Sequence, residues 1–322
     1  MRYLSILLAT AAFAAQPVPV IFDTDIGNDV DDALALAVLH SLQSRGEARL
    51  LAVTITKDNR YAAPYIDLVN TFYGRPDIPI GVVRGGKTPE DSRMIQTPAE
   101  LRKPDGSYVY PHRITDGASA PDATTVLRTA LSAAPDASVV VIQVGFSTNL
   151  ARLIASPDDR ALVARKVRLL SVMAGHFPEG NPEYNVKTDI PSARKVFGEW
   201  PTPIVFSGFE IGQVLLFPAQ AVEQGFRWAS NHPVADAYRA YMKMPYDRPT
   251  WDLTATLYAV RPDAAYFNLS PPGRVTVDDA ARTHFTPAAE GRHRYLILTD
   301  TQKARTLEAL ILLATEPRTS NP

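Results

Sequence analysis

The chain has 322 residues, 46% hydrophobic and 21% charged, which suits one large α/β domain or two small ones and excludes a disordered or fibrous chain. Its 33 basic and 34 acidic residues leave a net charge of -1, so there is no cationic surplus to neutralise phosphates and no electrostatic case for nucleic acid. The absence of cysteine rules out disulfides, thiolate metal sites and a cysteine nucleophile.

In chain order, Met1-Arg2 gives a positive start, residues 4 to 15 are almost wholly apolar, and Ala12-Phe13-Ala14 offers a small-x-small cleavage pattern. Residues 1–15 therefore read as a signal peptide and residues 16–322 as one exported domain. About 12 apolar residues are too few to serve as an anchor, since roughly 20 span a bilayer, so the mature form has no membrane contact. Val18 to Phe22 reads as a strand, followed by an acidic loop and a helix whose Leu34, Val38 and Leu42 recur at helical spacing. The unit repeats: strand Leu50 to Thr56 with helix Tyr61 to Tyr73, strand Ile78 to Val83, helix Thr124 to Leu131, then strand Ser138 to Val144 with helix Thr148 to Ile154. Strand Val167 to Met173, helix Pro191 to Phe197 and strand Pro203 to Phe206 follow. Strands alternating with helices predict an α/β single-domain fold, a mainly parallel but mixed sheet flanked by helices. Residues 84 to 121 read as long fixed loops, and 226 to 262 as helices carrying Tyr238, Tyr241, Trp251 and Tyr258. Late strands at Arg274 to Val277 and Tyr295 to Leu298 precede a closing helix, Thr301 to Ala314.

The loop Asp23-Thr24-Asp25-Ile26-Gly27-Asn28-Asp29-Val30-Asp31-Asp32 places five carboxylates between a buried strand and a helix N-terminus. Like charges this close raise one another's pKa, and a divalent cation relieves them. An oxygen-only set suits a hard ion, Ca2+ or Mg2+, rather than zinc. Favourable placement at a helix N-terminus accounts for Asp31 and Asp32 but not for the other three. An EF-hand needs glycine at the sixth position and glutamate at the twelfth, where this loop has Asn28 and Leu34.

The same loop resembles the N-terminal signature of the inosine-uridine-preferring nucleoside hydrolases, in the variant with two extra residues before the aspartate pair. Four more blocks follow in order: Asp58-Asn59; Gly145-Phe146-Ser147-Thr148-Asn149-Leu150-Ala151; Gly180-Asn181-Pro182-Glu183-Tyr184-Asn185 with Asp189; and Trp251-Asp252-Leu253-Thr254-Ala255. The resemblance implies a calcium-dependent hydrolysis of ribonucleosides to ribose and free base. It makes Asp25 general base and calcium ligand, with Asp32, the Thr148 carbonyl and Asp252 completing the metal shell. It makes Asp31, Asn59, Asn181, Glu183 and Asn185 the partners of the ribose hydroxyls, while Asp23 orients the loop. Relatives commonly form homodimers or homotetramers, and no interface is legible in this sequence.

Trp251 departs from the pattern, because many purine-active relatives have a histidine there, and an indole cannot donate an acidic proton. Trp251 can instead stack on a nucleobase or pack in the core. His176, just before the sugar-binding block, and His112, in the long loop, are the histidines able to substitute; the other reading of each is a surface histidine. Tyr241, Tyr246 and Asp247 precede Asp252, either facing the base or merely packing their loop. Lys57-Asp58 is a second departure, read as a determinant of substrate or as a surface ion pair. No nucleophile elbow, Gly-x-Gly-x-x-Gly or Walker loop is present, and the later motifs of a haloacid-dehalogenase-like phosphotransferase, which also opens with Asp-x-Asp, are missing. The alternatives to the nucleoside hydrolase are a calcium-bearing ribosyl-binding protein and a hydrolase of another N-ribosyl compound.

Overall fold

In a computed structural model that describes residues 16–318, the apolar run at Val18 forms the middle of a ten-stranded sheet. The strands are β1 (Val18–Thr24), β2 (Ala48–Lys57), β3 (Ile80–Lys87), β4 (Val139–Gln143), β5 (Val167–Met173), β6 (Ile204–Ser207), β7 (Leu216–Phe217), β8 (Arg248–Pro249), β9 (Asn268–Leu269), β10 (Gly273–Val277), β11 (Thr283–Pro287) and β12 (His293–Ile297). Their order is β11-β10-β12-β6-β5-β4-β1-β2-β3, with β9 added against β12; β7 and β8 pair separately. From β3 to β12 the neighbours run parallel, while β9, β10 and β11 are antiparallel additions at one edge. The expected mixed, mainly parallel sheet is what forms.

Alternation along β1 explains the two cores. Val20 and Phe22 point into one apolar layer with the helices Asp31–Ser44, Ala62–Phe72, Trp251–Val260 and Asp300–Thr315; Ile21 points into the other, with Ala123–Ala133, Thr148–Leu153, Pro157–Lys166 and Ile190–Glu199. Strands covered on both faces have no polar side to show, which is why Val139-Val140-Val141-Ile142 is unbroken hydrophobe. The first helix differs from its sequence reading. Its Leu34, Val38 and Leu42 suggest one buried stripe, yet every residue from Asp31 to Leu42 is buried, because the helices Trp251–Val260 and Asp300–Thr315 lie against the side turned from the sheet.

Residues 84–121, read as loop, contain the helix Arg93–Glu100. Helix Pro157–Lys166 gave no periodic signal because only Asp159 and Val163 are buried. No helix among the described residues is long and apolar enough to cross a membrane. The signal peptide expected at residues 1–15 lies outside the described residues.

Candidate active site

The functional side chains gather where loops leave the carboxyl ends of β1, β4, β5 and β6, the end at which parallel sheets present ligand sites. Asp23, fully buried at the end of β1, accepts hydrogen bonds from Thr54 Oγ1 at 2.6 Å and Asn149 Nδ2 at 2.8 Å. It fixes the strand end from which the acidic loop departs. The loop turns at Gly27, whose φ of +109° disfavours any side chain and where a Cβ would lie 2.7 Å from Ile95 Cδ1. Asn28 then points back, donating from Nδ2 to Asp25 Oδ2 at 2.8 Å, and Lys57 Nζ donates to Asn28 Oδ1 at 3.0 Å. That second bond fixes which end of the Asn28 amide faces Asp25.

Asp31 and Asp32 open the helix Asp31–Ser44, and Asp252 lies in the first turn of Trp251–Val260. The two helix N-termini converge, so their exposed N–H ends favour negative charge between them. One oxygen from each of Asp31, Asp32 and Asp252 lies within 4.8 Å of the other two. Asp31 Oδ2 accepts the Asp252 backbone N–H at 3.0 Å, and Thr24 Oγ1 donates to Asp32 Oδ1. Asp32 Oδ2, fully buried, has no hydrogen-bond partner among the described residues.

This arrangement is costly without a cation. Burial first, then mutual repulsion, pushes Asp31, Asp32 and Asp252 well above the ordinary carboxylate range. Burial likewise pushes Asp25 up to about 6, against hydrogen bonding from Asn28, and Asp23 up to about 7. An all-oxygen triad with an orphaned lone pair matches what a hard divalent ion requires. The residues present therefore fit a hard divalent ion, with Asp31, Asp32 and Asp252 able to hold it.

The triad forms the floor of a cavity of about 380 Å³. One wall carries Val144, Met173, Glu183, Tyr184 and Asn185; the other carries Phe209, Tyr241, Arg248 and Trp251. Glu183 caps the helix Tyr184–Thr188, accepting from the Asn185 and Val186 N–H groups and from Gly175 N–H, and burial pushes it up to about 7. Asn185 Nδ2 donates to the carbonyls of Val144 at 2.8 Å and Met173 at 3.2 Å, which ties the ends of β4 and β5 together. On the aromatic side, Phe209 stacks on Trp251 with ring centroids 5.3 Å apart, and the Trp251 indole N–H donates to the Phe209 carbonyl at 2.9 Å.

Asp25, Asp31, Asp32, Glu183, Asn185, Trp251 and Asp252 are thus brought together at one cavity. Four expected residues are not. Thr148 belongs to the helix after β4, its hydroxyl donating to Asp189 at 2.5 Å, and the residue that lines the cavity is Val144, which directly follows β4. Asn59 faces the loop beyond β3, where its Nδ2 donates to the carbonyls of Pro89 and Glu90 and to Asp91 Oδ1. Asn181 is exposed and does not line the cavity. His176 packs against Phe209 with ring centroids 5.6 Å apart, without lining the cavity itself. In each case the motif gives the residue's place in the chain but not the direction of its side chain.

Of the remaining candidates only Tyr241 reaches the cavity. Tyr246 donates to the Tyr238 carbonyl, Asp247 accepts the Ala219 N–H, and His112 bonds the Tyr110 carbonyl through Nδ1. Lys57 and Asp58 do not pair: Asp58 accepts the Gly86 N–H at 2.9 Å, and Lys57 turns inward to Asn28. The sequence reading missed Arg248, Phe209, Val144, Met173, Asn28 and Tyr184 at the site. Only Arg248, charged and three residues before Trp251, carried a chemical signal.

The family model described as inosine-uridine preferring nucleoside hydrolase matches residues 20–309. The chain belongs to that nucleoside hydrolase family. Among solved structures, this family member is similar to the inosine-uridine preferring nucleoside hydrolase from Bacillus anthracis, at 18% identity and a TM-score of 0.69, covering 92% of this chain and 99% of that one. It is also similar to the plant nucleoside hydrolase PpNRh1, at 22% identity and a TM-score of 0.66, covering 94% and 100%. The type III effector protein XopQ, complexed with adenosine diphosphate ribose, matches at 19% identity and a TM-score of 0.67, covering 94% of each chain. At these identities the likeness establishes the fold. No curated protein sequence matches the chain.

Two predictions follow from the local contacts of this family member. Removing the Asn59 amide leaves the Pro89 and Glu90 carbonyls without their donor, so Asn59→Ala is expected to cost about 1–3 kcal/mol of stability in urea unfolding. The second concerns pH. In calcium-free protein, Asp25, Asp23 and Glu183 hold protons up to about 6, 7 and 7, against ordinary values of 3.8 for Asp and 4.5 for Glu. The stability these raised values confer is complete below the ordinary values and is lost as pH rises through 6 to 7. Calorimetry of chelated protein should show the melting temperature falling across that window, and saturating calcium should flatten the fall.

Proposed function

We propose that the protein hydrolyses the N-glycosidic bond of ribonucleosides, giving ribose and free base, with a calcium ion held at the acidic cluster. The observation that carries this reading is the buried oxygen triad with its orphaned Asp32 Oδ2, at the floor of a cavity walled by aromatic rings. Asp31, Asp32 and Asp252 would hold the ion, with Asp25 as a fourth carboxylate beside them. Val144 lines the cavity and Thr148 does not, so a backbone ligand from the end of β4 would come from Val144 rather than from Thr148. When bound, calcium supplies a Lewis acid that acidifies water and a point of attachment for vicinal hydroxyls.

The chain's own residues do the rest. Asp25, oriented by Asn28, accepts the proton of the attacking water. Asp31 offers the oxygen not bonded to the Asp252 N–H to a ribose hydroxyl. Glu183 and Asn185 shape the sugar wall, and their hydrogen bonds to the strand ends hold that wall rigid. Trp251, Phe209 and Tyr241 line the cavity with aromatic surface against which a departing base packs. Such packing needs no N–H from Trp251, whose indole is already engaged.

The test is release of free base from a panel of ribonucleosides by purified protein, with and without chelator, beside an Asp25→Ala control. Turnover that needs both calcium and Asp25 supports the hydrolase. Calcium binding without cleavage of any nucleoside overturns it and favours a ribosyl-binding protein or a hydrolase of another N-ribosyl compound. Adenosine diphosphate ribose belongs in the panel because the similar effector protein is complexed with it.

A further inference from the structure

Arg248 enters the cavity from β8, and nothing in the mechanism above uses it. Its Nε and Nη2 form a fork on the Asp29 carboxylate, Nε at 2.9 Å, and Nη2 also donates to the Tyr241 hydroxyl at 3.1 Å. Nη1 donates to no group among the described residues. The guanidinium carbon lies 5.2 Å from the Tyr241 ring centroid and 5.4 Å from that of Trp251. Four-fifths of the side chain is enclosed, with 21% left exposed. Asp29 therefore clamps one edge of the guanidinium plane, two ring faces hold its orientation, and one nitrogen with two N–H groups has no partner among the described residues. Arg248 and Trp251 line the same cavity, so a base held there comes within reach of the guanidinium.

We propose that Arg248 receives the departing base. This rests on the hydrolase reading. As the C1′–N bond breaks, its electron pair goes to the base nitrogen, the water oxygen bonds to C1′ and the water proton goes to Asp25. The base leaves as an anion paired with the guanidinium and takes a proton from solvent on release, while Asp25 returns its proton to solvent. Atoms and charge balance as riboside plus water giving ribose plus base. Arg248 stays protonated throughout, so it stabilises the leaving group electrostatically and does not protonate it. The substrates favoured are thus ribosides whose bases carry negative charge well.

The experiment compares inosine and uridine with 4-nitrophenyl β-ribofuranoside, whose leaving group is a stable anion needing little help. Arg248→Gln should lower kcat/KM by about 10²–10³-fold for the nucleosides and by less than about tenfold for the nitrophenyl riboside, as expected for removal of one charge-stabilising donor group. Arg248→Lys, with charge but no fork, should fall between wild type and Arg248→Gln for the nucleosides. Titration calorimetry should still show calcium binding at one site in both variants, which shows that the acidic loop remains formed. An equal fall for all three substrates overturns the assignment and reduces Arg248 to a tether for Asp29; no fall overturns it as well. If wild-type protein releases neither base nor nitrophenol, the hydrolase reading itself fails and this assignment fails with it.

Discussion

Asp25→Asn is expected to lower kcat for any cleaved nucleoside by about 10²–10⁴-fold, the usual contribution of a positioned general base. The amide keeps an oxygen for the cation and the size of the carboxylate but cannot accept the water's proton. Calcium affinity should consequently fall far less than kcat, and KM should change little. The Asn28 contact sharpens the prediction. Its Nδ2 donates to Asp25 Oδ2, so the new amide should turn its oxygen toward Asn28 and its NH2 toward the water, the wrong polarity for a base. Steady-state kinetics with calorimetric calcium titration separates the two effects. A parallel loss of calcium affinity and kcat would mean that Asp25 acts only as a ligand.

Asp32→Asn is expected to move activity and stability in opposite directions. Asp32 is buried in the middle of the cluster, and its Oδ2 has no hydrogen-bond partner among the described residues. Removing its charge should lower calcium affinity by more than about 100-fold, beyond the 10–100-fold that loss of an outer partner of a metal ligand costs, and abolish turnover at ordinary calcium concentrations. The same change removes a carboxyl whose ionisation the interior resists. The calcium-free variant should therefore be more stable than calcium-free wild type by about 1–3 kcal/mol, and should gain almost nothing from added calcium. Urea unfolding with and without calcium reads both numbers. A variant destabilised in calcium-free conditions would show that Asp32 is held by its contact with Thr24 rather than waiting for a cation.

Much of the fold was legible because parallel strands buried on both faces must be continuous hydrophobe, as Val139 to Ile142 is, and because helices between them repeat at 3.6 residues. What escaped notice had weak periodicity for a physical reason: the half-exposed helix Pro157–Lys166, the short turns at Phe209–Gln213 and Ala219–Gly225, and the antiparallel edge strands β9 and β11. At the site, carboxylates were readable because five of them in ten residues are improbable without a use. Val144 was not readable, since nothing in its apolar side chain marks it as a residue that lines a site. Arg248 was hidden in another way: its importance lies in which side of the guanidinium Asp29 occupies, and spacing in a sequence does not report that.

The hydrogen bond from the Asp252 backbone to the Asp31 carboxylate joins residues 221 apart in the chain. A cation shared by these carboxylates closes a loop spanning most of the molecule, so it fastens the beginning of the domain to its last third much as a covalent crosslink would. During synthesis the acidic loop must wait, with its charges mismatched, until the segment around Asp252 has emerged and docked. Calcium would then act late in folding as a clasp that slows reopening, and its withdrawal would show first as proteolytic nicking between these two segments rather than as loss of the central sheet.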